Sequence, residues 1–231
     1  MSGPGSGKGD LMARTALVAL GAFAVMASAI CLLVLVPQAM LSDVAPPEGL
    51  EPYTAQQLAG REVYIANGCV YCHSQQVRDH SFTPDVDRGW GNRPTVPADY
   101  VYDRPHLLGT SRTGPDLINV GQRLPDQNWQ LIHLYDPRAV VPWSIMPGFP
   151  FLFEEKMAET VQPGDRVVAI PGPRAPSGRV VVATPEAIAL VDYLLSLKRT
   201  YPVPPVAQAH DAQPALGTEP PPVTAGTRGG Q

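Results

Sequence analysis

The chain has 231 residues, a formal net charge of −4 and 16% charged residues, a size that allows one domain with appendages. This balance excludes nucleic acid as a partner, because nucleic-acid binding requires a basic face. The 27 prolines and 21 glycines predict that much of the chain forms turns, loops or tails.

The N-terminal part carries a candidate membrane anchor. Residues 1–10 are rich in Gly and Ser and are predicted to be disordered. Residues 15–36 carry no charge, and as a helix at about 1.5 Å per residue they would span about 33 Å, enough to cross a bilayer. The run is too long for a signal-peptide core and lacks a small-residue cleavage site after it. We therefore expect residues 11–40 to form a retained transmembrane helix.

The charges on either side of this run predict its orientation. Lys8 and Arg14 precede it, whereas Asp43, Glu48 and Glu51 follow it. Positively charged flanks stay in the cytoplasm. The N-terminus is therefore expected on the cytoplasmic side of a bacterial inner membrane, with the rest of the chain in the periplasm.

A proline-containing segment, residues 41–53, is predicted to be a semi-rigid linker that leads into a helix. Thr54 and Gln57 have the spacing of a capping box, and Gly68 is placed to end the helix. Residues 54–201 are therefore expected to form the folded domain.

The sequence Cys69-Val70-Tyr71-Cys72-His73 follows this helix directly. Two thiols at this spacing with a histidine after the second are typical of covalent haem c attachment, in which the thiols bond the porphyrin and the imidazole binds its iron. A structural zinc site would need four ligands, and the third cysteine, Cys31, lies in the apolar run. A thioredoxin-like motif would need a βαβ pattern, which is missing here. We predict one covalently attached haem c.

The remaining elements are less regular. Residues 75–108 show no sustained period, and such long loops are usually functional or mobile. Asp126–Tyr135 is predicted to be a short helix, and residues 165–183 a hairpin of the strands Val167–Ile170 and Val180–Ala183. Thr184 caps a predicted closing helix. Residues 202–231 lack an apolar pattern and are predicted to be a disordered tail.

Met146 is the preferred second axial ligand of the haem iron, because it lies in a proline-rich loop, residues 142–150, that would present its thioether rigidly. Met157 falls in a predicted helix over Leu152–Thr160, where methionine usually fills core space. Ligation by a second histidine is the alternative, through His133, His106 or His80. With both axial positions filled, the haem would carry single electrons and perform no catalysis.

The two capped helices around the haem motif resemble the crossed N- and C-terminal helices of class I cytochromes c, in which a small residue such as Gly60 allows close approach. In that family a proline carbonyl accepts the second N–H of the axial imidazole, and the resemblance assigns this role to Pro115. Candidates for binding the haem propionates are Arg112, Trp129 and Arg78.

Several stretches in order resemble subunit II of cbb3-type cytochrome c oxidases, the membrane-anchored monohaem cytochrome CcoO or FixO. They are Gly60–Ile65, Gly68–Gln75, Tyr100–Asp103, Arg112–Leu117, His133–Arg138, Met146–Pro147 and Phe149–Pro150. The hairpin and the proline-rich tail are not features associated with that family.

The resemblance implies a mainly α fold, with one N-terminal transmembrane helix and a class I cytochrome c domain that has extended loops. It also implies an electron-transfer role beside a haem-copper catalytic subunit I, with another c-type cytochrome subunit or donor cytochrome and membrane lipid as partners. The alternatives are a free-standing tethered electron shuttle, the small subunit of a nitric oxide reductase and a haem enzyme with an open axial site.

Overall fold

A long apolar helix opens the chain in the computed structural model, which describes residues 6–203. Helix α1, Ser6–Ile30, continues through a π-helical segment, Cys31–Leu35, into α2, Val36–Leu41. The wide turn, in which the Val36 N–H donates to the Cys31 carbonyl, directly precedes Pro37, which has no N–H to donate. By length and composition this helix could cross a membrane.

The start of α1 corrects the prediction of disorder over residues 1–10. The helix begins at Ser6, and its first turns include an ion pair of 2.8 Å between Arg14 and Asp10. Side chains four residues apart face each other on a helix, so this pair supports the N-terminal turns. The disorder predicted for residues 1–5 and for 204–231 lies outside the described residues.

Two capped helices form the centre of the folded part. Helix α3, Ala55–Ala66, begins at the predicted capping box of Thr54 and Gln57, and α6, Pro185–Ser196, begins with Thr184 as its cap. A Cβ atom on Gly60 would lie 1.8 Å from the carbonyl oxygen of Ala189, so the two backbones cross in direct contact. The predicted close approach at Gly60 is therefore confirmed.

Two shorter helices, α4 (Val120–Arg123) and α5 (Gln127–Tyr135), pack against α6. The predicted helix over Asp126–Tyr135 is confirmed, with the Asp126 carboxylate accepting hydrogen bonds from the N–H groups of its first turn. Together these helices enclose an apolar core, whose fully buried members include Tyr64, Leu131, Leu190, Val191, Tyr193 and Leu197.

A small antiparallel sheet precedes α6, with β1 (Phe153–Lys156), β2 (Arg166–Val168) and β3 (Val180–Ala183) in the order β1-β3-β2. The predicted hairpin is confirmed, since β2 pairs with β3. Strand β3 lies at the centre of the sheet and also pairs with β1, where Phe153 lies opposite Ala183.

Strand β1 shows that the predicted helix over Leu152–Thr160 is wrong. Pairing with β3 satisfies the backbone there, and the Phe153 ring packs edge-on against Tyr135 with centroids 5.3 Å apart. Met157 follows the strand and is 50% exposed, so its predicted role as core filler is also wrong.

The long segment 75–108 is ordered mainly by buried carboxylates. Asp85, Asp99 and Asp103 are at most 2% exposed. Arg93 forms a two-pronged pair with Asp99 at 2.8 Å, and Arg112 contacts Asp85 at 2.6 Å. Buried charges persist in proteins only when they are paired, so these contacts fix the path of a segment with little regular structure.

Replacement of Asp103 by alanine is expected to destabilise this segment strongly. Its carboxylate lies 3.5 Å from Arg61 and 3.8 Å from Arg199, and both arginines are almost fully buried. Removing one partner of a buried pair leaves uncompensated charge and costs about 3–5 kcal/mol. Chemical denaturation of the detergent-solubilised protein measures this loss. Asp87→Ala, at a carboxylate that is 69% exposed in the same segment, is the matched control and should leave the unfolding free energy nearly unchanged.

Candidate functional site

The two thiols of the haem motif lie directly after α3. Gly68 adopts a left-handed conformation with φ of +66°, which glycine tolerates, and turns the chain into a 3-10 turn over Cys69–Tyr71. Neither cysteine forms a disulfide bond. Cys69 is half-buried, and burial raises its pKa to about 11, whereas Cys72 is exposed.

Both thiols open into a cavity of about 470 Å³, a volume typical of cofactor sites. His73 and Met146 also line it, so the thiols and the two preferred axial ligands share one space. The walls are mainly apolar and come from α4, α5, α6 and the loops between them, with Leu117, Val120, Leu124, Leu134, Leu190 and Leu194 among their side chains.

The His73 imidazole is held from behind by the loop that follows residue 112. Its Nδ1 lies 2.8 Å from the Pro115 carbonyl oxygen. A carbonyl can only accept, so Nδ1 carries the proton and the lone pair of Nε2 is free for a metal. A Cβ on Gly114 would lie 2.2 Å from Cε1 of the ring, so this loop lies flat against the imidazole. Burial lowers the pKa of His73, which favours the neutral ring that metal binding needs.

Met146 reaches the cavity from a segment fastened to α5. The Phe149 N–H donates to the Leu134 carbonyl at 2.8 Å, and a Cβ on Gly148 would lie 2.6 Å from the Tyr135 carbonyl oxygen. The Met146 N–H donates to the hydroxyl of Ser144 at 3.2 Å. These contacts, together with the prolines of the segment, fix the backbone from which the thioether projects.

Of the three histidines considered as alternative ligands, His133 lines the cavity, whereas His106 and His80 do not. His133 stacks on Trp129, with ring centroids 4.7 Å apart and an angle of 10° between the planes. Burial, followed by the nearby His73, lowers the pKa of His133 to about 4, so the ring is neutral at pH 7. The alternative of two histidine ligands therefore reduces to His133.

Two buried nitrogens at this cavity have no hydrogen-bond partner among residues 6–203: Nε of Arg123 and Nδ1 of His133. A buried polar group without a partner costs about 1–3 kcal/mol. Arg123 and His133 both line the cavity, so their side chains are candidates for binding a cofactor that carries carboxylates. Trp129, which was predicted for this role, lies beside them in the cavity wall.

Arg112 and Arg78 lie elsewhere, outside the cavity lining. The guanidinium of Arg112 is engaged with Asp85, the hydroxyl of Ser74 and the Gln76 carbonyl, and Arg78 donates to the Thr110 carbonyl. The basic side chain in the cavity wall is Arg123 of α4, which sequence reasoning missed. The local sequence indicates this role only weakly, because nothing about Arg123 or its neighbour Leu124 shows that these residues line a cavity.

The donor set fits a haem c better than a metal ion held by protein alone. Within the described part of the chain, no three His, Cys, Asp or Glu side chains are grouped closely enough to hold an ion. Two thiols, the His73 imidazole and the Met146 thioether lie around the apolar space of the cavity, which is the set that covalent haem attachment uses, and His133 adds a second imidazole.

A comparison with protein families finds a family model that matches most of the chain. The family model described as cytochrome C oxidase, mono-heme subunit/FixO covers residues 10–170, well over half of the chain. The matched range contains the apolar helix, the haem motif, Pro115 and Met146, and it ends before β3 and α6. No curated protein matches the chain. The extent of the family match shows that the chain belongs to the mono-haem subunits of cytochrome c oxidase, the FixO family.

Proposed function

We propose that this protein is the membrane-anchored electron-transfer subunit of a cbb3-type haem-copper oxidase, with a class I cytochrome c domain that carries one haem c. The observation that carries this proposal is the apolar cavity into which Cys69, Cys72, His73 and Met146 all open. A bound haem supplies reversible one-electron chemistry at its iron. Oxygen reduction is assigned to the partner catalytic subunit.

The residues of the cavity would hold the haem in a fixed orientation. Thioether bonds from Cys69 and Cys72 would fix its position, and His73 and Met146 would bind its iron. The Pro115 carbonyl keeps the proton on Nδ1 of His73, while the apolar walls exclude water. With neither axial site open, the protein would move electrons and leave oxygen unbound.

Arg123, Trp129 and His133 would bind the haem propionates. The orphan nitrogens of Arg123 and His133 supply donors in a buried place, where a carboxylate needs them most. This assignment replaces Arg112, whose guanidinium already has partners on the far side of the His73 loop.

The topology and partners follow from the anchor and the family. With Lys8 and Arg14 on the cytoplasmic side, the haem domain would lie in the periplasm of a bacterial inner membrane. Electrons would arrive from another c-type cytochrome, either a subunit or a donor, and leave for the haem-copper subunit I. The ordered segment 75–108 favours a permanent partner, because a free shuttle gains little from a large fixed loop.

Mass spectrometry of the purified protein tests the cofactor directly. We expect the polypeptide mass to rise by one haem, with the added mass on the peptide that contains Cys69 and Cys72. Cys69→Ala together with Cys72→Ala should abolish covalent attachment, whereas Cys31→Ala should leave it intact. An exported wild-type protein without this added mass would contradict the proposal.

Purification in mild detergent separates the oxidase subunit from a free-standing shuttle. A subunit of the oxidase should bring the spectrum of b-type haem and a second large membrane protein with it. A shuttle should be isolated alone. The small subunit of a different reductase should be isolated with another catalytic chain, which mass spectrometry of the complex would identify.

A further inference from the structure

The segment behind His73 is joined to the haem motif by main-chain hydrogen bonds on both sides of Pro115. The Gly114 N–H donates to the Cys72 carbonyl at 3.0 Å, and the Leu117 N–H donates to the Ser74 carbonyl at 2.8 Å. The Pro115 carbonyl, which accepts from His73, therefore lies between two fixed points.

Asp116 follows Pro115 and is fully buried. One carboxylate oxygen accepts from the Ser74 hydroxyl at 2.6 Å and from the Gln76 N–H at 2.7 Å, while the other accepts from the Ile118 N–H at 2.9 Å. A single side chain thus ties its own loop to the chain that leaves the haem motif. Burial raises the pKa of Asp116, and these hydrogen bonds oppose that effect.

Two arginines complete this arrangement from opposite sides. Arg112 donates through Nε to the Ser74 hydroxyl at 2.8 Å and through Nη2 to the Gln76 carbonyl at 2.6 Å. Arg123 donates to the Asp116 carbonyl from the side of the cavity. Ser74 therefore receives a hydrogen bond from Arg112 and donates one to Asp116, so the direction of its hydroxyl is fixed.

We propose that Asp116 and Ser74 are positioning residues, which hold the Pro115 carbonyl against the Nδ1–H of His73 and thereby set the strength of that hydrogen bond. The inference rests on the proposed function, because it matters only when His73 binds iron. Neither residue touches the cavity, so both act through Pro115.

The consequence concerns the reduction potential of the haem. A hydrogen bond from Nδ1–H to a carbonyl makes the imidazole more basic and favours the ferric state. Loosening Pro115 weakens this bond, so the potential should rise in Ser74→Ala, where no charge is removed. In Asp116→Asn the loss of buried negative charge acts in the same direction, so Ser74→Ala isolates the positioning effect.

The test uses the holoprotein and two measurements. Redox titration gives the potential, and NMR of the ferrous protein gives the exchange rate of the His73 Nδ1 proton with solvent. A hydrogen bond is worth roughly 1 kcal/mol, so loosening the one from the His73 Nδ1–H to Pro115 in Ser74→Ala or Asp116→Asn should speed this exchange by about five- to tenfold. Ser74→Thr keeps the hydroxyl and should restore the wild-type rate.

The control is Asp99→Asn, which also removes a buried carboxylate paired with an arginine, Arg93, but makes none of the contacts between residues 72–76 and 113–118 and does not bind Arg112. It should leave the exchange rate unchanged. Unaltered exchange and potential in haem-loaded Ser74→Ala would overturn the inference, and this variant decides the question if Asp116→Asn fails to fold. A wild-type protein without haem would instead contradict the proposed function.

Discussion

Replacement of Gly60 by alanine is expected to prevent the domain from folding. The new Cβ would lie 1.8 Å from the Ala189 oxygen, 2.3 Å from its carbonyl carbon and 2.8 Å from the Leu190 nitrogen, and all three are backbone atoms that cannot rotate away. The crossing of α3 and α6 would have to open, and overpacking of this kind costs about 3 kcal/mol or more. Circular dichroism and the yield of haem-loaded protein measure the loss.

A matched glycine in α1 controls for the substitution itself. Gly21 has no atom within 4 Å of an added Cβ, so Gly21→Ala should give normal yields of folded protein. A well-folded Gly60→Ala protein with native haem spectra would show that the two helices do not cross as described.

Removal of the Met146 thioether is expected to have the largest effect on the redox chemistry. A thioether opposite an imidazole favours ferrous iron, so Met146→Ala should lower the reduction potential. The absorption band of methionine-to-iron charge transfer at the red end of the ferric spectrum should disappear. Reduced protein should also bind carbon monoxide readily, because one axial position is then free.

Two further variants make this assignment specific. Met157→Ala removes an exposed methionine outside the cavity and should change neither the band nor the potential. His133→Phe keeps the stacking on Trp129 but removes the ring nitrogens, and the charge-transfer band should persist. If the band were absent from the wild type and His133→Phe created an open axial site, the ligand would be His133.

The parts of the fold that the sequence predicts correctly are those with local signals. Thr54 with Gln57, Asp126, and Thr184 with Pro185 each mark a helix start through hydrogen bonds made within one turn. The signal for the proposed haem site is local as well, since it is read from the five consecutive residues Cys69–His73.

The parts that the sequence does not predict depend on distant partners. Strand β1 contains two glutamates and a lysine, which suit a helix equally well, and its strand conformation depends on β3 almost thirty residues later. Arg112 belongs to the stretch that resembles the haem-binding loop of class I cytochromes, yet its guanidinium pairs with Asp85, 27 residues before it, and lies outside the cavity lining. Neither pairing has a signature in the neighbouring residues.

The propionate candidates show the same limit within the site. Arg123 and His133 face the cavity because short helices pack on α6, and this packing is decided by apolar residues elsewhere on those helices. The sequence indicates Trp129 as a propionate-binding candidate because it is large and lies one turn before His133. It does not indicate Arg123 and His133 for the same role.

In segment 75–108, the residues that fix the path of the backbone differ from those that form its exposed surface. The buried carboxylates of Asp85, Asp99 and Asp103 help to determine the course of the chain, whereas the side chain of Phe82, at a turn of the same segment, is 79% exposed. Exposed side chains of this segment can therefore be substituted, which would change the proteins that it contacts, while the buried ion pairs keep its backbone in place.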